Sequence, residues 1–142
     1  QQNIISVPLG SSPVVISFVE SDRAYAALWA AATAALSRGD SEFPDWALQL
    51  NLAAAQIHAR QWRDAYDTLG SIVGAPTGPG LGQSAVDYWM GVALTGAGPN
   101  YDSDAELAFD RAAQVEDARL FHNDGPPVRE RALARKALIG KR

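Results

Sequence analysis

The glycine-rich segment at residues 78–84 is the first part of the chain whose residue types could do chemistry. It reads Gly-Pro-Gly-Leu-Gly-Gln-Ser and comes directly before a predicted helix, where backbone amides can bind a phosphate. A phosphate-binding loop would end in Gly-Lys-Ser or Gly-Lys-Thr and would follow a strand, and this segment does neither. Pro76 and Pro79 also lack amide donors. We therefore interpret the segment as a structural loop.

A second candidate is the series Asn100, Asp102, Asp104 and Glu106, whose alternating oxygen ligands resemble the start of a calcium loop. The sixth position is not glycine, and the twelfth is Arg111, where a bidentate glutamate would be needed. Carboxylates near the start of a helix are favourable for another reason, because they complement the helix dipole. The sequence thus favours a helix start over a metal site.

His58 and His122 are the only histidines, and neither has a second histidine at helical spacing. The chain has no cysteine, which excludes disulfides, thiolate zinc sites and cysteine nucleophiles. It also has no serine nucleophile elbow, no paired acids within a supporting motif and no cofactor fingerprint. We therefore predict no enzyme activity, no catalytic residues, no cofactor and no metal.

The composition predicts a single, mostly α-helical domain. Of the 142 residues, 47% are hydrophobic and 20% are charged, and alanine, the best helix former, is the commonest type. The net charge of −4 argues against nucleic-acid binding, which usually requires a basic surface. The longest apolar run, at residues 24–37, is shorter than the roughly 20 residues of a membrane span, so no membrane insertion is predicted.

The first predicted element is a β-hairpin at residues 4–19. It is predicted because two runs of β-branched residues there flank a segment of turn-forming residues. A first helix is predicted at residues 21–38, and four more at about residues 46–59, 62–73, 84–95 and 103–117. Asp45 is expected to cap the second helix, and Ser103 with Glu106 forms a capping box for the fifth. The second helix has almost no polar face and should be buried on several sides.

Two predictions concern faces of these helices. In the third helix, Trp62, Tyr66 and Val73 fall on the predicted core face. The last helix, at residues 126–140, alternates basic and apolar residues. Residues 129–142 carry a net charge of +5, which leaves −9 for residues 1–128. We expect this basic helix to cap the fold by facing the acidic residues of the preceding helix. Its predicted apolar face consists of Val128, Ala132, Leu133, Ala137 and Leu138.

The helices over residues 45–117 resemble two tetratricopeptide repeats. The residues that carry the resemblance are Asn51-Leu52-Ala53 with Trp62, Ala65 and Leu69 in the first unit, and Met90-Gly91 with Ala105, Phe109 and Ala112 in the second. The two units lie 38 residues apart, against 34 in the family, and the excess falls in glycine- and proline-rich loops.

The resemblance implies a fold of antiparallel helical hairpins, stacked as a short right-handed solenoid of about six helices behind the N-terminal hairpin. The helices at 21–38 and 126–140 would cover the two ends of the stack. Small residues would allow close helix crossings, with Ala53 against Ala65 and Gly91 against Ala105.

The resemblance also implies a concave groove that binds a partner. The residues that would line the groove are Asn51, His58, Tyr88, Trp89 and Thr95. Aromatic side chains in such a groove would act as anchors, because they dominate many binding energies. The sequence leaves a second outcome open, in which the inserted loops and terminal helices fill the groove.

The function expected from these observations is a non-enzymatic scaffold that binds a protein or peptide partner. A start without methionine and the lack of cysteine favour an exported or cell-envelope protein after signal removal, with a cytoplasmic protein as the alternative. One alternative function is strand addition to a partner through the hairpin at 4–19. The other is a small-ligand binder or enzyme with an unrecognised pocket.

Overall fold

The computed structural model describes residues 22–39 and 42–141, and this part of the chain is mostly helical. Its helices are α1 (Asp22–Arg38), α2 (Asp45–His58), α3 (Trp62–Gly70), α4 (Gln83–Ala97), α5 (Asp102–Ala112) and α6 (Val128–Ile139), with a short 3-10 helix at Pro99–Tyr101. Two short strands complete the list, β1 (Gly80–Leu81) and β2 (Ala118–Arg119). The mostly α class and the six predicted helices are therefore confirmed.

The two strands are parallel neighbours, with Gly80 opposite Ala118 and Leu81 opposite Arg119. They are not the predicted hairpin, which was assigned to residues 4–19 and lies outside the described residues. Both strands fall where the sequence predicted other structure, one in the glycine-rich loop and one just beyond the fifth helix.

Helix α5 ends at Ala112, five residues earlier than predicted. The reason lies in the segment that follows. Asp117 has a positive φ of 64°, which a continuing helix does not allow, and its carbonyl accepts a hydrogen bond from the Gly80 amide at 2.8 Å. Residues 113–117 thus lead the chain from the end of α5 to its pairing with β1.

Both predicted side-chain caps are wrong. Asp45 and Ser103 lie inside their helices, and the positions before the helices, Pro44 and Tyr101, make no side-chain capping bond. At α5 the preceding 3-10 helix runs directly into the α-helix, so backbone carbonyls supply the acceptors. The Tyr101 amide bonds to the Gly98 carbonyl at 3.1 Å. A tightened turn of this kind replaces the cap side chain.

The core lies along α2, α4 and the helices that flank them. Each helix packs on the next one in the chain, and α4 also contacts α2 and α6. Helix α2 is buried on several sides, as predicted. Two residues assigned to the core from α3 are exposed, however: Tyr66 by 41% and Val73 by 81%. Val73 is exposed because α3 ends at Gly70 and its periodicity stops there.

The close crossing of α4 and α5 depends on Gly91. A Cβ at this position would come within 2.5 Å of the Phe109 ring, and Phe109 is completely buried. The nearest neighbour of Gly91 is therefore this ring and not Ala105, which was predicted from the repeat pattern. Ala53, Ala65 and Ala105 are also completely buried.

We expect Gly91→Ala to destabilise the protein by about 1–3 kcal/mol, because the added methyl overpacks a site whose neighbour cannot move outward. Chemical denaturation of the wild type and the variant measures the difference. Gly78→Ala is the matched control, since a Cβ at Gly78 meets nothing within 4 Å. Equal losses in the two variants would show that the contact with Phe109 is not the cause.

Asp87 links α4 to α5 from a half-buried position. Its carboxylate accepts a hydrogen bond from Gln83 at 3.3 Å and lies 3.7 Å from the Arg111 guanidinium. Burial raises the pKa of Asp87 above its ordinary value of 3.8, against the opposing effects of Gln83 and Arg111. The ionised form is thus less favourable in the folded protein than in the unfolded chain.

Because the pKa of Asp87 is raised by folding, the folded state holds its proton more tightly. The contribution of Asp87 to the free energy of unfolding should therefore fall as the pH rises from about 3.8 through the folded pKa, and stay constant above it. We expect Asp87→Asn to be at least as stable as the wild type at pH 7 and to lose this advantage in acid. Urea denaturation of both proteins between pH 3 and pH 7 tests this. The prediction would be contradicted if the stability of the variant relative to the wild type were lower at pH 7 than in acid.

Candidate functional site

The five residues that the resemblance assigns to a groove lie on α2 and α4. Asn51 is buried, with only 4% of its surface exposed, and its Oδ1 accepts no hydrogen bond from the residues that the structure describes. His58 is the last residue of α2 and is half-buried. The other three, Tyr88, Trp89 and Thr95, lie on α4.

Tyr88 is engaged by the C-terminal helix. It is 3% exposed, and its hydroxyl accepts a hydrogen bond of 2.7 Å from Nε of Arg135 on α6. The Arg135 guanidinium also lies 5.6 Å from the centre of the Tyr88 ring, within range of a cation–π interaction. The ring makes edge-to-face contacts with Trp89 and Phe109, at centroid distances of 5.2 and 5.8 Å.

Thr95 lies on the same side of α4. Its hydroxyl donates to the Gly91 carbonyl at 2.8 Å, and with Arg135, Leu138 and Ile139 it lines a cavity of only about 110 Å³. The terminal helix therefore covers the face of α4 that the resemblance assigns to a groove. The contacts of Tyr88 and Thr95 with α6 favour the second of the two outcomes that the sequence leaves open, and a binding role for the five residues stays a prediction.

Three basic side chains of α6 hold it in place. Lys136 Nζ lies 2.8 Å from the Asp110 carboxylate on α5, which confirms an acidic partner for the basic helix and raises the pKa of Lys136 through that hydrogen bond. Arg129 instead donates to the Ala113 carbonyl, just after the end of α5. Arg135 bonds to the Tyr88 hydroxyl.

The apolar face of α6 is only partly as predicted. Val128, Ala132 and Ile139 are buried, whereas Leu133 and Leu138 are exposed by 47% and 63%. The reason is that one narrow stripe of α6 contacts α4 and α5, so the neighbouring leucines turn towards solvent.

A larger cleft lies on another side of α4, between the exposed side of α3 and the start of α5. Its volume is about 460 Å³, within the range of about 300–1,000 Å³ that is usual for ligand sites. The residues that line it are Trp62, Arg63, Tyr66, Asp67, Ala93, Leu94, Ala97, Tyr101 and Asp104.

Three aromatic side chains dominate this surface, which we call the aromatic cleft. Trp62 and Tyr66 lie four residues apart on α3 and so share one face of that helix. Tyr101 comes from the 3-10 helix on the opposite side. Tyr66 and Tyr101 are 41% and 45% exposed, which is unusual for two tyrosines that line one concave site.

Two glycines place these rings. A Cβ at Gly96 would lie 2.5 Å from the Trp62 ring, so the ring can rest against α4 only because Gly96 has no side chain. Gly98 has a φ of 135°, which side chains rarely allow, and it turns the chain from α4 into the 3-10 helix that carries Tyr101. The glycine-rich segment 96–100, predicted only as a loop, thus forms part of the site.

The charges at the cleft are two carboxylates and one guanidinium. Asp67 and Arg63 are paired at 3.7 Å along α3, with both side chains mostly exposed. Asp104 lies in the first turn of α5 and is exposed. Exposed pairs of this length add little stability, so these side chains can form other contacts.

Sequence reasoning missed most of this cleft. It assigned Trp62 and Tyr66 to the core and did not single out Tyr101 at all. A signal was present nonetheless, because an aromatic residue directly after a glycine- and proline-rich insertion lies where a repeat structure tolerates added surface.

Backbone amides of the glycine-rich loop donate hydrogen bonds to a distant side chain and to a nearby carbonyl. The amide of Leu81 donates to Oδ1 of Asn123 at 2.9 Å, and that of Gln83 to the Pro76 carbonyl at 2.7 Å. A Cβ at Gly82 would collide with the Pro76 carbonyl oxygen. These amides are engaged within the protein, which supports the interpretation of the segment as structural.

The calcium-like series has no loop geometry. Asn100 belongs to the 3-10 helix, and Asp102, Asp104 and Glu106 belong to α5, where residues two apart point in different directions. In residues 22–39 and 42–141, no three acidic or histidine side chains come together in a way that could hold a metal ion.

None of the described helices is both long and apolar enough to cross a membrane. No known protein-family model, no characterised protein and no solved structure matches the chain. The resemblance to tetratricopeptide repeats therefore depends on the residues alone.

We expect Gly96→Ala to displace the Trp62 ring from the aromatic cleft, because the added methyl would occupy the position of the ring. In a ¹H–¹⁵N spectrum the indole signal of Trp62, assigned with Trp62→Phe, should shift strongly. Gly78→Ala, at a position with open space, should leave that signal in place. An unchanged indole signal in Gly96→Ala would contradict the placement of this ring.

Proposed function

We propose that the protein is a non-enzymatic interaction module that binds a segment of a partner protein in the aromatic cleft. The observation that carries the proposal is the pair of half-exposed tyrosines, Tyr66 and Tyr101, which line a concave site together with Trp62 and Leu94. Large aromatic side chains bury much area at little entropic cost, and they are enriched among residues that dominate binding.

The arrangement of the helices supports a scaffold role. Consecutive helices pack on one another, and α4 contacts both α2 and α6, which is the order expected of a short helical solenoid. We include a tetratricopeptide-like solenoid in the proposal. In this version the binding site lies between the repeats at the inserted loop, and α6 closes the side where the family has its groove.

Other parts of the expected function stay predictions. An exported or cell-envelope assembly is the predicted setting. Strand addition through the hairpin at 4–19 concerns residues outside the described part. The enzyme alternative also stays a prediction, and the charged side chains that line the cleft are Arg63, Asp67 and Asp104.

Selection of peptides from a random display library on the immobilised full chain tests the proposal. The affinities of the selected peptides are then measured for the wild type, Tyr66→Ala and Tyr101→Ala. We expect each variant to bind roughly tenfold more weakly, which corresponds to about 1.4 kcal/mol. Both side chains are half-exposed, so the thermal stability of the variants should change little.

Val73→Ala is the matched control, because Val73 is an exposed apolar residue that is not part of the cleft lining. Peptides that bind both tyrosine variants as tightly as the wild type would overturn the proposal, and so would a selection that enriches no peptide. If the binding of the peptides were weakened only by Val73→Ala, the binding site would lie elsewhere on the chain.

A further inference from the structure

The aromatic cleft combines π faces with carboxylates, and this combination selects a cationic ligand. Its lining includes the aromatic residues Trp62, Tyr66 and Tyr101 and the acidic residues Asp67 and Asp104. The face of an aromatic ring carries negative electrostatic potential, so that rings and carboxylates favour the same sign of charge. With Arg63 included, the lining still has one more acid than base.

We propose that the cleft binds the side chain of an arginine in the partner segment. The inference rests on the proposed function and names the chemistry that the partner must offer. A guanidinium is planar and weakly hydrated, so it stacks on tyrosine and tryptophan rings while its edge donates hydrogen bonds to carboxylates. A purely apolar side chain would use the rings but leave the carboxylates without a partner.

The ion pair between Arg63 and Asp67 is long and exposed, so Asp67 can also contact an arginine of the partner. Its length of 3.7 Å exceeds the 2.7–2.9 Å or so of a well-formed charged hydrogen bond, and 87% of the Arg63 side chain is exposed. A partner arginine can therefore replace Arg63 as the ion-pair partner of Asp67 at little cost in free energy, because the existing pair contributes little stability.

The protein already contains one contact of the proposed kind. On another side of α4, Arg135 lies over the Tyr88 ring and donates to its hydroxyl. In the cleft, Tyr66 and Tyr101 offer the same ring type but remain half-exposed. The charges of the lining also favour the approach of a basic segment, since Asp67 and Asp104 outnumber Arg63 there.

A titration of the ¹⁵N-labelled full chain with the peptide acetyl-Ala-Arg-Ala-amide tests the inference. The comparison peptide carries citrulline, which has nearly the same shape as arginine but no charge. We expect the arginine peptide to shift the indole signal of Trp62 and the amide signals of Tyr66 and Tyr101. Its affinity should exceed that of the citrulline peptide by about tenfold, and the difference should shrink at high salt.

The double variant Asp67→Asn with Asp104→Asn should bind the arginine peptide more weakly and with a smaller preference over the citrulline peptide, because only the rings then favour the cation. Asp64→Asn is the matched control, because Asp64 is an exposed carboxylate on the same helix that does not line the cleft. Equal binding of the two peptides to the wild type would overturn the inference, and so would an undiminished arginine preference in the double variant.

The two proposals fail in distinguishable ways. If the displayed peptides depend on Tyr66 and Tyr101 but contain no arginine, the interaction module stands and the arginine site does not. If the arginine peptide shifts signals outside the cleft only, the arginine site falls regardless of the display result. If no selected peptide depends on the tyrosines, the proposed function falls as well.

Discussion

The contact between Gly91 on α4 and the Phe109 ring on α5 is the constraint around which the other elements are arranged. Because Gly91 has no side chain, the ring lies directly against the backbone of α4, and it is completely buried there. The same helix also contacts α2, α3, α6 and β2, so that most of its surface is occupied. A helix with so many neighbours needs small residues, and Ala85 and Ala93 serve this purpose with Gly91. The position of α4 then determines where every other element can lie.

Successive residues of α4 are divided between two different surroundings, since each residue of an α-helix turns by about 100°. Tyr88 and Thr95, seven residues or nearly two turns apart, lie on the side covered by α6. Leu94 and Ala97 line the aromatic cleft instead. The closed side is held by an arginine on a tyrosine ring and by the ion pair of Lys136 with Asp110. Because α6 occupies that side, the proposed partner would bind where α4 ends and the chain turns towards Tyr101, which is 45% exposed.

The positions of the helices could be read from the sequence, because apolar residues at helical spacing mark where a helix runs. Their ends could not, since α5 already ends at Ala112 and the segment that follows pairs through Asp117 with Gly80, which is 37 residues earlier in the chain. The cleft was missed for a related reason. Tyr66 has the spacing of a core residue, but whether such a residue is covered depends on the neighbouring elements, and these leave it 41% exposed. The glycine at position 96 explains the place of Trp62 only once both helices are known.

Basic and acidic residues are unevenly distributed along the chain. Four of the six basic residues among the last 14 lie on α6, and residues 1–128 carry a net charge of −9. A basic partner segment is repelled near α6 and attracted near the start of α5, where Asp104 lies beside the cleft. At physiological ionic strength such forces act over about 8 Å, so they guide the last part of an encounter and add to affinity only where a carboxylate is in direct contact with the cation. The larger share of the affinity must then come from the rings, and the lining of the cleft includes three aromatic residues.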